Sequence, residues 1–183
     1  MSQTAVFPWV SNVLIVAGLL SVFIGAVFMR RTNHYKRFLS YSTVENMGIV
    51  LLGLGIGGPG VFAAVLHIMG HTLIKSTMFM QVSQVGKTYG HYQVNRIGGY
   101  SRVSPTGSTL LLVTAIALLA FPPSVLFVSE VMIFRQMMFA GKWWLLALTV
   151  LLLCFVISNF GRHILRLCYG PSLRRAEPSH LHR

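Results

Sequence analysis

The chain has 183 residues, 54% of them hydrophobic and only 10% charged, and its 15 Lys and Arg face three acids for a net charge of +12. Soluble domains carry about 25% charged residues, and disordered chains are far poorer in apolar ones, so neither class fits. Basic clusters here alternate with uncharged apolar stretches of 19 or more residues, the pattern of an integral membrane protein and not of a nucleic-acid binder.

Five apolar segments are predicted, giving an all-α, polytopic membrane fold. The first, about 9–29, runs for 21 residues without a charge, enough to cross ~30 Å of hydrocarbon. The first basic residue is Arg30, so the positive start of a secretory signal is missing. A basic loop from Arg30 to Arg37 leads to the second segment, about 38–56, whose one charge is Glu45. Gly57-Gly58-Pro59-Gly60 is a tight turn by composition, so the third segment, about 61–85, returns at once. It carries His67, His71 and Lys75. Residues 86–107 are polar and basic and read as an extramembrane loop. The fourth segment, about 108–138, is too long for one straight span and is broken at Pro122-Pro123. The fifth, about 143–167, opens on Trp143-Trp144, an interfacial pair, and ends in a basic tail. Cys154 and Cys168 make no disulfide framework and read as small apolar filler.

Threading these segments places Arg30, Arg31, Lys36, Arg37, Lys87, Arg96, Arg102, Arg162, Arg166, Arg174, Arg175 and Arg183 on one side, against Arg135 and Lys142 on the other. The positive-inside rule then puts the N-terminus outside and the C-terminus in the cytoplasm, in a plasma membrane.

The informative residues are ionisable groups at membrane depth, where a charge costs ~2.5–3.5 kcal/mol on insertion scales. His67, His71 and Lys75 follow one another at i, i+4 and i+8 and share a helix face, forming a polar stripe ~12 Å long to which Thr72 and Ser76 are expected to add. A neutral imidazole accepts on one nitrogen and donates from the other, so two stacked rings can relay a proton. Desolvation penalises the Lys75 ammonium and brings loss of its proton within reach. Proton relay, structural packing and metal binding are all open to the pair. The metal reading is the weakest, since no metalloprotease Glu and no third ligand accompany the histidines. Glu45 is either a solvated residue near a helix end or a buried partner of Lys75. Glu130 follows the Pro-Pro break, where freed backbone groups must line a cavity or lie within protein, unless it simply pairs with Arg135. Lys36 is a topogenic charge or an accessory to proton transfer, and Ser129 a second accessory. Neither a cofactor nor a metal is expected: the chain has no Cys cluster, nucleotide fingerprint or phosphate loop.

Three stretches carry a resemblance. Residues 35–49 (YKRFLSYSTVENMGI), 67–79 (HIMGHTLIKSTMF) and 121–130 (FPPSVLFVSE) resemble, in order, the Lys-Arg/Tyr-Ser-Ser/Met-Gly stretch, the HxxxHxxxK helix and the Pro-Pro broken helix of the proton-conducting, antiporter-like membrane subunits. These occur in respiratory complex I, multisubunit cation/proton antiporters and group 4 nickel–iron hydrogenases. Glu45 and the ending from Arg166 to Pro171 look most like the hydrogenase-4 component F branch. Full-length members have about fourteen helices with two inverted five-helix repeats, and this chain matches only the second. The resemblance therefore implies a half-channel: a truncated product, a split subunit or a fragment, completed by other membrane subunits. It also implies the roles. Lys75, His67 and His71 would pass protons centrally, Glu130 would serve the outlet or the link to a neighbour, and Glu45 would couple to Lys75, while a soluble arm carries the redox chemistry. A cation/proton antiporter module and a non-transporting scaffold are the alternatives.

Overall fold

The computed structural model describes residues 8–94 and 96–171; Arg174, Arg175 and Arg183 of the expected basic tail lie outside them. Seven helices follow in order: α1 (Pro8–Arg31), α2 (Tyr35–Ile56), α3 (Pro59–Tyr89), α4 (Tyr100–Val103), α5 (Pro105–Leu118), α6 (Val125–Phe139) and α7 (Trp143–Tyr169). Four of them, α1, α2, α3 and α7, are long and apolar enough to cross a membrane. α5 and α6 have 14 and 15 residues, about 21 and 22 Å at 1.5 Å per residue, so neither reaches across ~30 Å alone. Together they are the single broken span.

Local chemistry sets the ends. Gly57 and Gly58 adopt φ of 77° and 55°, a left-handed pair that only glycine adopts readily, and Pro59 opens α3 where its missing N–H is no loss. The break between α5 and α6 is stitched by Ser124, whose hydroxyl donates to the Ala117 carbonyl (2.9 Å) and accepts from Leu126 N (3.1 Å) and Phe127 N (3.4 Å). One side chain thereby caps the start of α6 and adds a second bond to the Ala117 carbonyl in the last turn of α5, which also accepts from Ala120 N (3.3 Å). α2 begins three residues earlier than expected, at Tyr35. Lys36 and Arg37 are exposed on its first turn, so their charge does not oppose the helix.

α1 lies along α2, α3 packs on α2, α5 and α6, and α7 closes on α1 and α6. The α1–α2 approach is glycine-mediated: a Cβ at Gly48 would fall 2.7 Å from the Gly18 carbonyl oxygen, and one at Gly25 would fall 2.6 Å from Glu45 Cβ. Such close contact through small residues is how helices associate where lipid removes the hydrophobic drive.

The core is layered along the helix axes. One apolar cluster gathers Met29, Phe38, Leu39, Met78, Leu111, Leu126 and Phe160; a second gathers Ile15, Leu52, Ala63, Ile133 and Leu145. Between them, on α2, α3 and α6, lie the buried polar residues Ser42, Glu45, Asn46, His67, His71, Lys75 and Ser129. At the first cluster's end the loops tie together: Tyr35 N donates to Tyr92 O (3.0 Å) and Val94 N to Asn33 O (2.9 Å), and Ser101 Oγ donates to Cys168 O (2.8 Å). Arg30, Arg162 and Arg166 line one cleft there, and Arg31, Arg37 and Arg96 line another. The described basic clusters thus share one end of the bundle.

Gly48→Val should destabilise the fold by about 1–3 kcal/mol, the usual effect of overpacking. Gly161→Ala, whose added Cβ meets nothing within 4 Å, should leave thermal unfolding in detergent unchanged.

Candidate proton-transfer site

The 3.6-residue period brings His67, His71 and Lys75 onto one buried face of α3, with exposures of 0, 3 and 5%. The two imidazoles stack with centroids 6.4 Å apart and planes 9° from parallel. His67 is the hub of the layer. Its Nδ1 lies 2.9 Å from Ser129 Oγ on α6, and its Nε2 lies 3.2 Å from Asn46 Oδ1 on α2. Asn46 Nδ2 in turn donates to a Glu45 carboxylate oxygen (2.7 Å) and to the Ser42 carbonyl (2.8 Å). A continuous string of hydrogen bonds therefore runs from Glu45 on α2 through His67 on α3 to Ser129 on α6. Ser129 Oγ also lies 2.9 Å from the Leu126 carbonyl.

Glu45 is buried, not a solvated residue near a helix end. It shares a small cavity of about 20 Å³ with Glu130, lined also by Ser42, Asn46 and apolar residues of α5 and α7, room for about one water molecule. His71 Nε2 and Lys75 Nζ are buried and make no hydrogen bond. Electrostatic influence nevertheless links the groups in sequence: Glu130 with Glu45, Glu45 with Lys75, Lys75 with His71, and His71 with His67.

One expectation is corrected, and two residues left with alternatives are placed. Thr72 and Ser76 do not line the stripe: both are exposed, and their hydroxyls bond back to Ile68 O (2.8 Å) and Thr72 O (2.7 Å). One residue along a helix is a rotation of about 100°, which carries each off the face of its neighbour. Arg135 does not neutralise Glu130; its guanidinium lies over the Phe139 ring, 5.2 Å from the centroid. Lys36 is away from the polar layer, at the basic end, with its ammonium 4.0 Å from the Tyr92 ring centroid. Sequence reasoning missed Asn46. The signal available was a carboxamide directly after the single acid of an otherwise apolar segment, where a polar group persists only if it is bonded. Among the described residues no group of three or more His, Cys, Asp or Glu is arranged to hold a metal ion.

The sequence pattern of the family described as "NADH:quinone oxidoreductase/Mrp antiporter, TM" matches residues 1–156, a span that contains the whole polar layer. The chain belongs to that family. It is similar to "Formate hydrogenlyase subunit 3" of Escherichia coli (strain K12), 29% identical over 177 residues, covering 90% of this chain and 26% of that protein. It is also similar to "Hydrogenase-4 component F homolog" of Methylacidiphilum infernorum (isolate V4), 30% identical over 117 residues, 63% of this chain and 25% of that protein. A chain in the solved structure of the Mrp complex from Dietzia sp. DQ12-45-1b has the same fold, with a TM-score of 0.80 at 20% identity, over 95% of this chain and 32% of that one. This antiporter-family chain spans about a quarter of the length of the curated relatives it matches.

In this family member, Ser129→Ala should leave His67 Nδ1 buried without a partner and lower stability by about 1–3 kcal/mol. Thr72→Val, on the exposed face, should stay within about 0.5 kcal/mol. Thermal unfolding in detergent distinguishes the two.

Proposed function

We propose that the chain is a proton-conducting membrane subunit, or part of one, in a multi-subunit oxidoreductase complex of the hydrogenase-4 or complex I kind, with no redox centre of its own. The observation that carries this reading is the buried line of His67, His71 and Lys75, joined through hydrogen bonds to Asn46, Glu45 and Ser129. Titratable groups at membrane depth mark ion or proton pathways. In this reading Lys75 and the two histidines pass protons along the middle of the bilayer. Glu45 couples to Lys75, and Glu130, across the small cavity from Glu45, serves the outlet or the link to a neighbouring subunit. The relatives named for formate hydrogenlyase and hydrogenase-4 support the redox-linked form of the reading.

In this reading the chain is the second repeat of such a subunit and works beside other membrane subunits. The fold shared with a chain of the Mrp complex favours a second reading, a cation/proton antiporter module. Sodium separates the two, because the antiporter module moves protons against sodium with no electron source.

In the assembled complex reconstituted into liposomes, Lys75→Ala and His71→Ala should each reduce proton flux by about 100-fold, the scale of losing a positioned proton-transfer group, whereas Thr72→Val should not. Flux that survives both changes leaves only a scaffold role. Flux that requires sodium and no electron donor selects the antiporter reading.

The membrane is proposed to be the plasma membrane, with the basic end of the bundle cytoplasmic. In a background lacking Cys154 and Cys168, Asn33→Cys should react with an impermeant thiol reagent only from the cytoplasmic side, and Lys142→Cys only from the other. The reverse pattern would invert the assignment.

A further inference from the structure

We infer that Asn46 is a positioning residue that fixes the tautomer of His67, so that this imidazole exchanges its proton at Nδ1, against the Ser129 hydroxyl. The inference deepens the proton-conducting reading and rests on it for its purpose, though not for its geometry.

The argument is one of donors and acceptors. A carboxamide has two N–H donors on one side and an acceptor oxygen on the other. Asn46 Nδ2 faces the Ser42 carbonyl at 2.8 Å, which can only accept, and a Glu45 carboxyl oxygen at 2.7 Å, which accepts while the acid is ionised. Turning the amide over would set its oxygen against the Ser42 carbonyl in every protonation state of Glu45, so its orientation is determined by that backbone oxygen. Asn46 Oδ1 is then the atom facing His67 Nε2 at 3.2 Å, and it can only accept. Nε2 must therefore carry a hydrogen whether the ring is neutral or charged.

The titrating position is left at Nδ1, 2.9 Å from Ser129 Oγ. Ser129 has one hydroxyl hydrogen and two possible acceptors, His67 Nδ1 and the Leu126 carbonyl, each at 2.9 Å. When the ring is neutral, the hydroxyl donates to Nδ1. When Nδ1 gains a proton, that N–H donates to Ser129 Oγ and the hydroxyl turns to Leu126 O. Both charge states keep every bond at the ring satisfied, and only one hydrogen rotates. The proton taken up is lost by another titratable group of the same layer. Those in electrostatic reach of one another are Glu45 on α2, His71 and Lys75 on α3, and Glu130 on α6.

The test is solid-state nitrogen NMR on the full chain, labelled with 15N-histidine in lipid bilayers, with the His67→Gln spectrum identifying the His67 signals by difference. In the wild type Nε2 should read as protonated at every pH, with Nδ1 moving from bare to protonated on acidification. In Asn46→Leu the exclusive Nε2–H signal should be lost and an Nδ1–H neutral ring should appear. Asn46→Asp, which keeps an acceptor opposite Nε2, should restore the Nε2–H form. A wild-type neutral ring protonated at Nδ1 overturns the inference, as does an Asn46→Leu spectrum unchanged from wild type or an Asn46→Asp spectrum like that of Asn46→Leu. The wild-type spectrum with its His67→Gln reference decides the tautomer if the Asn46 variants fail to fold. No flux enters the readout, so the tautomer assignment can stand where the conduction reading falls, and the reverse.

Discussion

The constraint on which this bundle depends is that polar groups placed between two apolar clusters have no water to turn to. A buried donor or acceptor left alone in such surroundings costs about 1–3 kcal/mol, so the layer must complete its own bonding. It does so through His67, which faces Asn46 on α2 and Ser129 on α6 and so fixes the lateral register of three helices at one depth. The break in the fourth span belongs to the same arrangement. Restarting the helix at Val125 puts Ser129 in the second turn of α6, level with His67. Ser124 meanwhile caps the restarted helix and bonds back to the last turn of α5. The interruption and the polar layer are one structural decision.

Packing by glycine supports that decision from outside the polar network. α1 contributes no buried polar side chain at this level; it contributes Gly25, whose lack of a side chain lets the helix lie directly against Glu45. On its other side α1 is apolar and open, with Val16, Leu20 and Phe23 exposed. A larger residue at Gly25 would push α1 away from the backbone and Cβ of Glu45. Close approach of small residues thus sets how tightly α1 covers the segment of α2 that carries the polar layer.

What could be read from the chain follows the same physics. The long spans were legible because hydrocarbon tolerates so few charges that each exception stands out, and the His67, His71, Lys75 face was legible because a period of 3.6 leaves no other geometry for that spacing. The break was visible in Pro122-Pro123. Less visible were matters decided by rotation and by partners. Thr72 follows His71 in sequence yet points the other way, so adjacency misled where angle would not have. Lys36 and Arg37 read as loop by their charge, although long basic side chains reach water from a helix end without ending it. Asn46 was missed because its value lies in what stands opposite it on α3, and a single segment's pattern does not say which residue of a neighbouring helix arrives at its level.

The energies involved explain why such an arrangement can respond to a membrane. A hydrogen bond to a charged group contributes about 1.5–3 kcal/mol, and two charges 4 Å apart interact by about 4 kcal/mol at an effective dielectric of 20. Moving one charge across 100 mV is worth about 2.3 kcal/mol. These are equal in scale, so under the proposed proton-conducting reading a proton that shifted by one position along Glu45, Lys75, His71 and His67 would alter the balance at the next by as much as the membrane potential does. The two ends of the line differ in kind. His67 is bonded at both ring nitrogens, whereas His71 Nε2 and Lys75 Nζ make no bond to the protein. A proton at His67 can thus be accommodated by turning a hydroxyl already in place, a provision that the protein does not make by hydrogen bonding at Lys75 Nζ. Three bases on one helix face are therefore not equivalent, and the difference comes from the residues that α2 and α6 set opposite His67 rather than from the spacing on α3.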